Sequence, residues 1–113
     1  MGLQVFGTKK CKDTQKAERF FKERRINFHF VDLKERAVTK GELEHISEVI
    51  PLEDLLDKEG KLFSDMNLKY INYNAHDILL EHPLLFKTPI VRMGRTATCG
   101  YKPEIWKTWQ FVV

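Results

Sequence analysis

At 113 residues, with 42% hydrophobic and 31% charged side chains, the chain is long enough for one core. That composition is that of an ordinary soluble protein rather than a disordered one, and its apolar runs are too short to span a bilayer. The net charge of +3 does not by itself imply nucleic acid, but residues 9–25 hold eight Lys or Arg against Asp13, Glu18 and Glu23, leaving the remainder net negative.

Leu3 to Phe6 reads as a short buried strand, followed by the polar loop Gly7-Thr8-Lys9-Lys10 and then Cys11. From Lys12 to about Arg25 the apolar positions Thr14, Ala17, Phe20 and Phe21 recur at helical spacing. The outer face offers Glu18–Lys22 and Arg19–Glu23 as i,i+4 ion pairs. Ile26, Phe28 and Phe30 alternate with Asn27 and His29, predicting a strand with one buried face. Strand, helix and strand within some thirty residues form a βαβ unit, so the two strands should be parallel.

Thr39-Lys40-Gly41-Glu42 is a capping box that opens a helix with core positions Leu43, Ile46 and Ile50. Pro51 interrupts it, and Leu52, Leu55 and Leu56 predict another short helix. Asp57 to Lys61 is a charged turn around Gly60, and Ser64 to Tyr73 reads as a short helix and loop. Ala75 to Glu81 is helical and ends at His82-Pro83. Ile90–Met93 and Thr96–Cys99 form a hairpin around Gly94-Arg95. Pro103 opens a final helix that Ile105, Trp106 and Trp109 would dock on the sheet. The order βαβ, helices, ββα predicts an α/β thioredoxin-like domain spanning 1–113, with a mixed four-stranded sheet and a helical insertion.

Cys11 is the residue to which chemistry attaches first. A cysteine at the first turn of a helix meets unpaired backbone N–H groups and the positive end of the helix dipole, both of which favour a thiolate. Lys9, Lys10 and Lys12 add positive charge, and the Thr14 hydroxyl can reach the sulfur. The motif is C-x-x-T, so no second thiol stands at the usual spacing. Cys99 is either a small buried strand residue or a resolving thiol for Cys11; the hairpin sets it roughly opposite Ile90, one strand further from Cys11. The basic patch is either a solvated face or a surface for an anionic thiol or an acidic partner. Direct nucleic-acid binding is not expected, because no aromatic platform interleaves with the lysines. The four histidines show no metal-ligand spacing, so no metal is expected. With no recognisable export signal, a cytoplasmic location with reduced thiols is expected.

Several separated segments resemble the ArsC/Spx family. They are the cysteine loop with K-A-E-R-F-F-K-E-R-R-I, Val31-Asp32-Leu33, His82-Pro83 before Lys87-Thr88-Pro89-Ile90-Val91, and Gly100-Tyr101-Lys102-Pro103-Glu104. The resemblance implies a thioredoxin fold, Cys11 as the reactive thiol, and a cis Pro89 whose loop lies beside the sulfur. The alternative for Pro89 is a trans proline opening an edge strand. In the arsenate reductases of this family three arginines bind the oxyanion; matching puts those positions near Asp57, at Thr88 and at Lys102. Only Lys102 keeps a positive charge, and lysine does not reproduce a bidentate arginine, which argues against efficient arsenate reduction. The Spx branch comprises transcriptional regulators that bind the RNA polymerase alpha subunit and use a C-x-x-C switch; Thr14 replaces the second cysteine here, so that switch cannot form as in the family.

The expectation is therefore a monothiol oxidoreductase related to arsenate reductases. Cys11 and Thr14 would be catalytic, and Lys9, Lys10, Thr88, Pro89 and Lys102 would line the substrate site. Glutathione or another small thiol would act as co-substrate, with no bound cofactor. The alternative is a Spx-like regulator that docks on RNA polymerase with little catalysis.

Overall fold

The computed structural model describes residues 3–109, so both ends of the expected 1–113 domain lie outside the described residues. Four strands form one mixed sheet in the order β2-β1-β3-β4. β1 (Leu3–Gly7) runs parallel to β2 (His29–Asp32), in register from Gln4↔His29 to Gly7↔Asp32. β3 (Ile90–Met93) is antiparallel to β1, with Phe6 opposite Ile90, and β4 (Thr96–Cys99) is antiparallel to β3, with Cys99 opposite Ile90. The parallel pair, the hairpin and the place of Cys99 all follow the sequence pattern.

Alternation along β1 divides the core. Leu3 and Val5 face a layer made by α1 (Lys12–Glu23) and α6 (Pro103–Trp106), where Ala17, Phe20, Phe21, Val91 and Trp106 pack together. Trp106 is fully buried, its Nε1 donates to Thr98 Oγ1 at 2.7 Å, and its ring lies 5.0 Å from Phe21 and 5.2 Å from Phe20. That bond is why this tryptophan can be wholly buried with its indole N–H satisfied. Phe6 and Ile90 face the opposite layer, the insertion, with α2 (Lys40–Ser47), α3 (Leu52–Leu55), α4 (Lys61–Asp65) and α5 (Ala75–Glu81). Single 3₁₀ turns at Leu68–Tyr70 and Pro83–Leu85 complete it.

The ends of α1 and α2 show local chemistry setting element boundaries. Thr39 Oγ1 accepts from Glu42 N at 3.1 Å while Glu42 Oε1 accepts from Thr39 N at 2.9 Å, the reciprocal cap expected from the sequence. Glu42 also takes a bidentate pair from Arg36, both contacts at 3.0 Å. Despite the opposing effect of burial, these donors hold its carboxyl at about 2. α1 stops at Glu23, earlier than the pattern suggests. Ile26 N–H returns to Phe21 O at 2.9 Å and Arg25 N–H to Lys22 O at 3.1 Å, closing a Schellman cap with Arg25 in the left-handed region at φ 57°. Ile26 then packs against the cluster that holds Phe21, as the apolar residue after such a cap commonly does.

Three expectations need correction. The second strand begins at His29 rather than Ile26, although Ile26, Phe28 and Phe30 do face the α1 layer while Asn27 and His29 are exposed. The hydrophobic alternation is real, but ladder pairing with β1 begins only at Gln4↔His29. Ile105 is exposed, because α6 is a single turn that presents Trp106 to the sheet and turns its neighbour outward. The Glu18–Lys22 ion pair forms at 3.9 Å, but among the described residues Arg19 and Glu23 form none. Among the described residues no helix is long and apolar enough to cross a membrane, and no cluster of His, Cys, Asp or Glu could hold a metal ion.

Candidate active site

Cys11 is the N-cap of α1, at φ −73° and ψ 120°, at the end of the sheet where β1 gives out and β3 begins. Its N–H bonds Thr8 O at 3.2 Å in the loop turn, and its carbonyl accepts from Gln15 N at 3.0 Å to start the helix. The backbone is thus spent on local geometry, and the side chain is free to face the loop before β3. There the Thr88–Pro89 peptide bond is cis. Thr88 Oγ1 donates to Cys11 Sγ at 3.0 Å, and the thiol in turn points at Thr88 O, 3.8 Å away.

Partial burial alone would push the Cys11 thiol up, yet it lies below its ordinary value. The groups that overcome burial are the hydroxyls of Thr14 and Thr88 and the backbone N–H groups of Thr14 and Asp13 at the first turn of α1. Thr14 Oγ1 is wholly buried with no hydrogen-bond partner, and its hydroxyl is among the groups that lower the Cys11 thiol. An unused buried donor is costly on its own, and its placement beside Cys11 supplies a reason for it. Gly7, at the end of β1, makes this placement fit: a Cβ there would stand 2.6 Å from Thr14 Cγ2. The sequence reading did not single out Gly7; a glycine closing an apolar strand directly before the cysteine loop was the available signal.

The charged residues expected at the site are arranged differently. Lys9, Lys10 and Lys102 are exposed, and none of them makes a hydrogen bond to the sulfur. Lys9 contributes its carbonyl, which accepts from Gln15 Nε2 at 2.6 Å. Arg92 donates to Gln4 Oε1 at 2.8 Å and meets His45 Nδ1 at 2.9 Å, at the end of the sheet away from Cys11. Because arginine only donates, His45 Nδ1 is the acceptor in that contact. Asp57 N donates to Leu85 O at 2.8 Å, and its carboxylate folds over Gly60, where a Cβ would stand 2.9 Å from Asp57 Cγ. Of the three positions matched to oxyanion arginines, only Thr88 touches the sulfur, and it does so as a neutral donor.

Cys99 is the second free thiol, half-buried on β4 against the insertion. Its Sγ donates to Lys87 O at 3.2 Å and approaches Asp54 O at 3.8 Å. Burial pushes this thiol up to about 11, with the nearby Lys87 and Lys102 charges offsetting only part of the effect. It opens on a cleft of about 520 Å³ shared with Glu53, Asp54, Asp57 and Lys58. The two cysteines therefore engage successive residues of one loop, Lys87 and Thr88, with their thiols shifted in opposite directions. Pro89 is buried and holds the same loop through its carbonyl, which accepts from Gly100 N at 2.7 Å.

The chain is similar to known proteins along nearly its whole length. A protein described as global transcriptional regulator Spx 2 from Oceanobacillus iheyensis is 26% identical over 109 residues, covering 92% of this chain and 80% of its own. A solved structure of an ArsC family related protein from Bacteroides fragilis superposes with a TM-score of 0.84 at 21% identity, covering 95% of this chain and 96% of its own. The glutaredoxin-like NrdH-redoxin from Escherichia coli shares the fold more distantly, with a TM-score of 0.51 at 10% identity over the full length of both chains. The fold is thus the thioredoxin-like one read from the element order. The model of the ArsC family matches residues 6–109, a span that holds Cys11, Thr14, Thr88, Pro89 and Lys102, and the chain belongs to the ArsC family.

Proposed function

We propose that the protein is a monothiol oxidoreductase in which the Cys11 thiolate attacks a disulfide or similar sulfur electrophile rather than an oxyanion. The observation that carries this reading is the Thr88 hydroxyl on Cys11 Sγ at 3.0 Å, where an oxyanion-reducing relative would carry an arginine. A neutral hydroxyl supports a thiolate but cannot neutralise a multiply charged oxyanion. Attack on a disulfide RS–SR′ forms the Cys11–SR bond and expels R′S⁻; an external thiolate then attacks the mixed disulfide, releasing its own disulfide with R and restoring Cys11. Glutathione or another small thiol fits the second step, since Cys99 is held as a thiol against Lys87 O and is poorly ionised near neutrality.

The test is turnover of hydroxyethyl disulfide with glutathione, followed by intact-mass analysis of trapped enzyme. Turnover in the native protein and in Cys99→Ser, none in Cys11→Ser, and a single glutathione adduct on Cys11 is the expected result. Activity that survives Cys11→Ser, or that requires Cys99, refutes the reading. Arsenate offered in place of the disulfide should give no turnover above the reagent background.

A second reading follows from the similarity to the global transcriptional regulator Spx 2 of Oceanobacillus iheyensis. The chain would then be a binding module for RNA polymerase, with Cys11 incidental. Capture of polymerase on immobilised protein, undiminished by Cys11→Ser and without disulfide turnover, would favour it over the enzyme.

A further inference from the structure

The outer face of α1 and the turn of α6 enclose a groove of about 480 Å³ whose walls carry Lys16, Arg19, Arg24 and Lys107 against the single carboxylate of Glu23. Among the described residues none of these four cations is in an ion pair. Two are positioned by aromatic rings instead. Lys16 Nζ lies 5.7 Å from the Tyr101 ring centre, and the Arg24 guanidinium stacks 3.8 Å above Phe20 while donating to Phe20 O at 3.3 Å. A ring orients a cation without cancelling its charge, so the groove keeps a concentrated positive field. Tyr101, 39% exposed, gives the same groove an aromatic wall.

We infer that this groove is a docking surface for an extended acidic segment of a partner protein, with carboxylates on the four cations and an apolar side chain against Tyr101. Charge complementarity selects the class of partner. A nucleic-acid strand is disfavoured because Glu23 lines the groove and because Tyr101 already carries Lys16 over its ring and Trp106 at its edge, 5.6 Å away. From Lys16 to Arg24 α1 rises about 12 Å, the reach of roughly four extended residues, so a short acidic stretch spans it. Lys16 lies one helical turn from Lys12, the residue after Cys11, so the segment would lead toward the thiol. The larger cleft at the far end of the sheet carries fewer cations, Arg92 and Arg95 beside Glu48, and its Arg92 is already bonded to Gln4 and His45.

The probe is a fluorescein-labelled peptide of sequence Glu-Glu-Leu-Glu-Glu, followed by fluorescence anisotropy with the full-length protein. Binding that weakens as salt is raised, and that falls about tenfold in Lys16→Glu/Lys107→Glu, is the expected result. The control Lys61→Glu/Lys69→Glu makes the same change of net charge elsewhere and should leave binding within about twofold. Lys16→Gln/Lys107→Gln, which avoids introducing repulsion, should give an intermediate loss. The affinity should be the same in Cys11→Ser, which separates this surface from the thiol chemistry. Equal losses in both charge-reversed pairs, equal binding of the Gln-for-Glu peptide, or tighter binding of an oligothymidylate of the same charge would each overturn the inference.

Discussion

Replacing Thr88 by valine tests the electrostatics of the candidate site most directly. Valine keeps the shape of the side chain and removes only the hydroxyl that donates to Cys11 Sγ at 3.0 Å. A hydrogen bond to an ionised acceptor contributes about 1.5–3 kcal/mol when shielded from water. Cys11 is only half-buried and keeps the Thr14 hydroxyl and the N–H groups of Asp13 and Thr14. The loss should therefore fall at or below the lower end of that range, about 1.4 kcal/mol, which is about one pKa unit upward. The assay is the ultraviolet absorbance of the thiolate against pH in a Cys99→Ser background, since Cys99 titrates near 11 and would overlap the end of the curve. Alkylation rate against pH gives an independent midpoint for the same group. Thr88→Ser retains the donor and should shift little. An unchanged midpoint in Thr88→Val, or an equal shift in both variants, refutes the argument that this hydroxyl stabilises the thiolate.

Three further outcomes are expected. Gly7→Ala places a Cβ against Thr14 and should cost about 1–3 kcal/mol in urea unfolding while also raising the Cys11 midpoint; adding Thr14→Ala should recover the stability but not the midpoint. Arg25→Gly removes a side chain from the left-handed position that closes α1 and should stabilise by roughly 1 kcal/mol, read as a higher urea midpoint at unchanged slope. The Glu42 carboxyl is depressed in the fold to about 2, so its contribution is complete above about pH 5, is lost as the pH falls toward 2, and should be absent from the acid limb of a Glu42→Gln pH–stability profile.

The parts of the fold that were legible are those where one local rule acts alone. The face of α1 through Thr14, Ala17, Phe20 and Phe21 is buried as its spacing requires, and Thr39–Glu42 forms its box from side chains three residues apart. The hairpin turn at Gly94-Arg95 was readable because Gly94 adopts φ 60°. What was not legible depends on partners distant in sequence. The start of β2 is set by where β1 offers a ladder partner, and the exposure of Ile105 by Thr98, eight residues from the Trp106 that it fixes. At the site, Cys11 could be found from its helix-start position, whereas its donors could not be ranked. The lysines that dominate the local sequence extend into solvent, and the hydroxyl on the sulfur comes from Thr88, 77 residues away.

The donors around Cys11 have one more consequence, for the second half of a thiol exchange. Sulfur loses its charge when it enters a mixed disulfide, so the hydroxyls of Thr14 and Thr88 and the first N–H groups of α1 support it less in that state than as a thiolate. A sulfur that is well supported as an anion departs readily when an external thiol attacks its partner atom. In the proposed exchange, the constellation that favours the Cys11 thiolate would thus also make it a good leaving group and shorten the life of an adduct on it. In the proposed reaction a single cysteine would then cycle with no resolving mate three residues on: the hydroxyl of the C-x-x-T motif would stabilise the departing thiolate, leaving the act of displacement to the solvent-borne thiol.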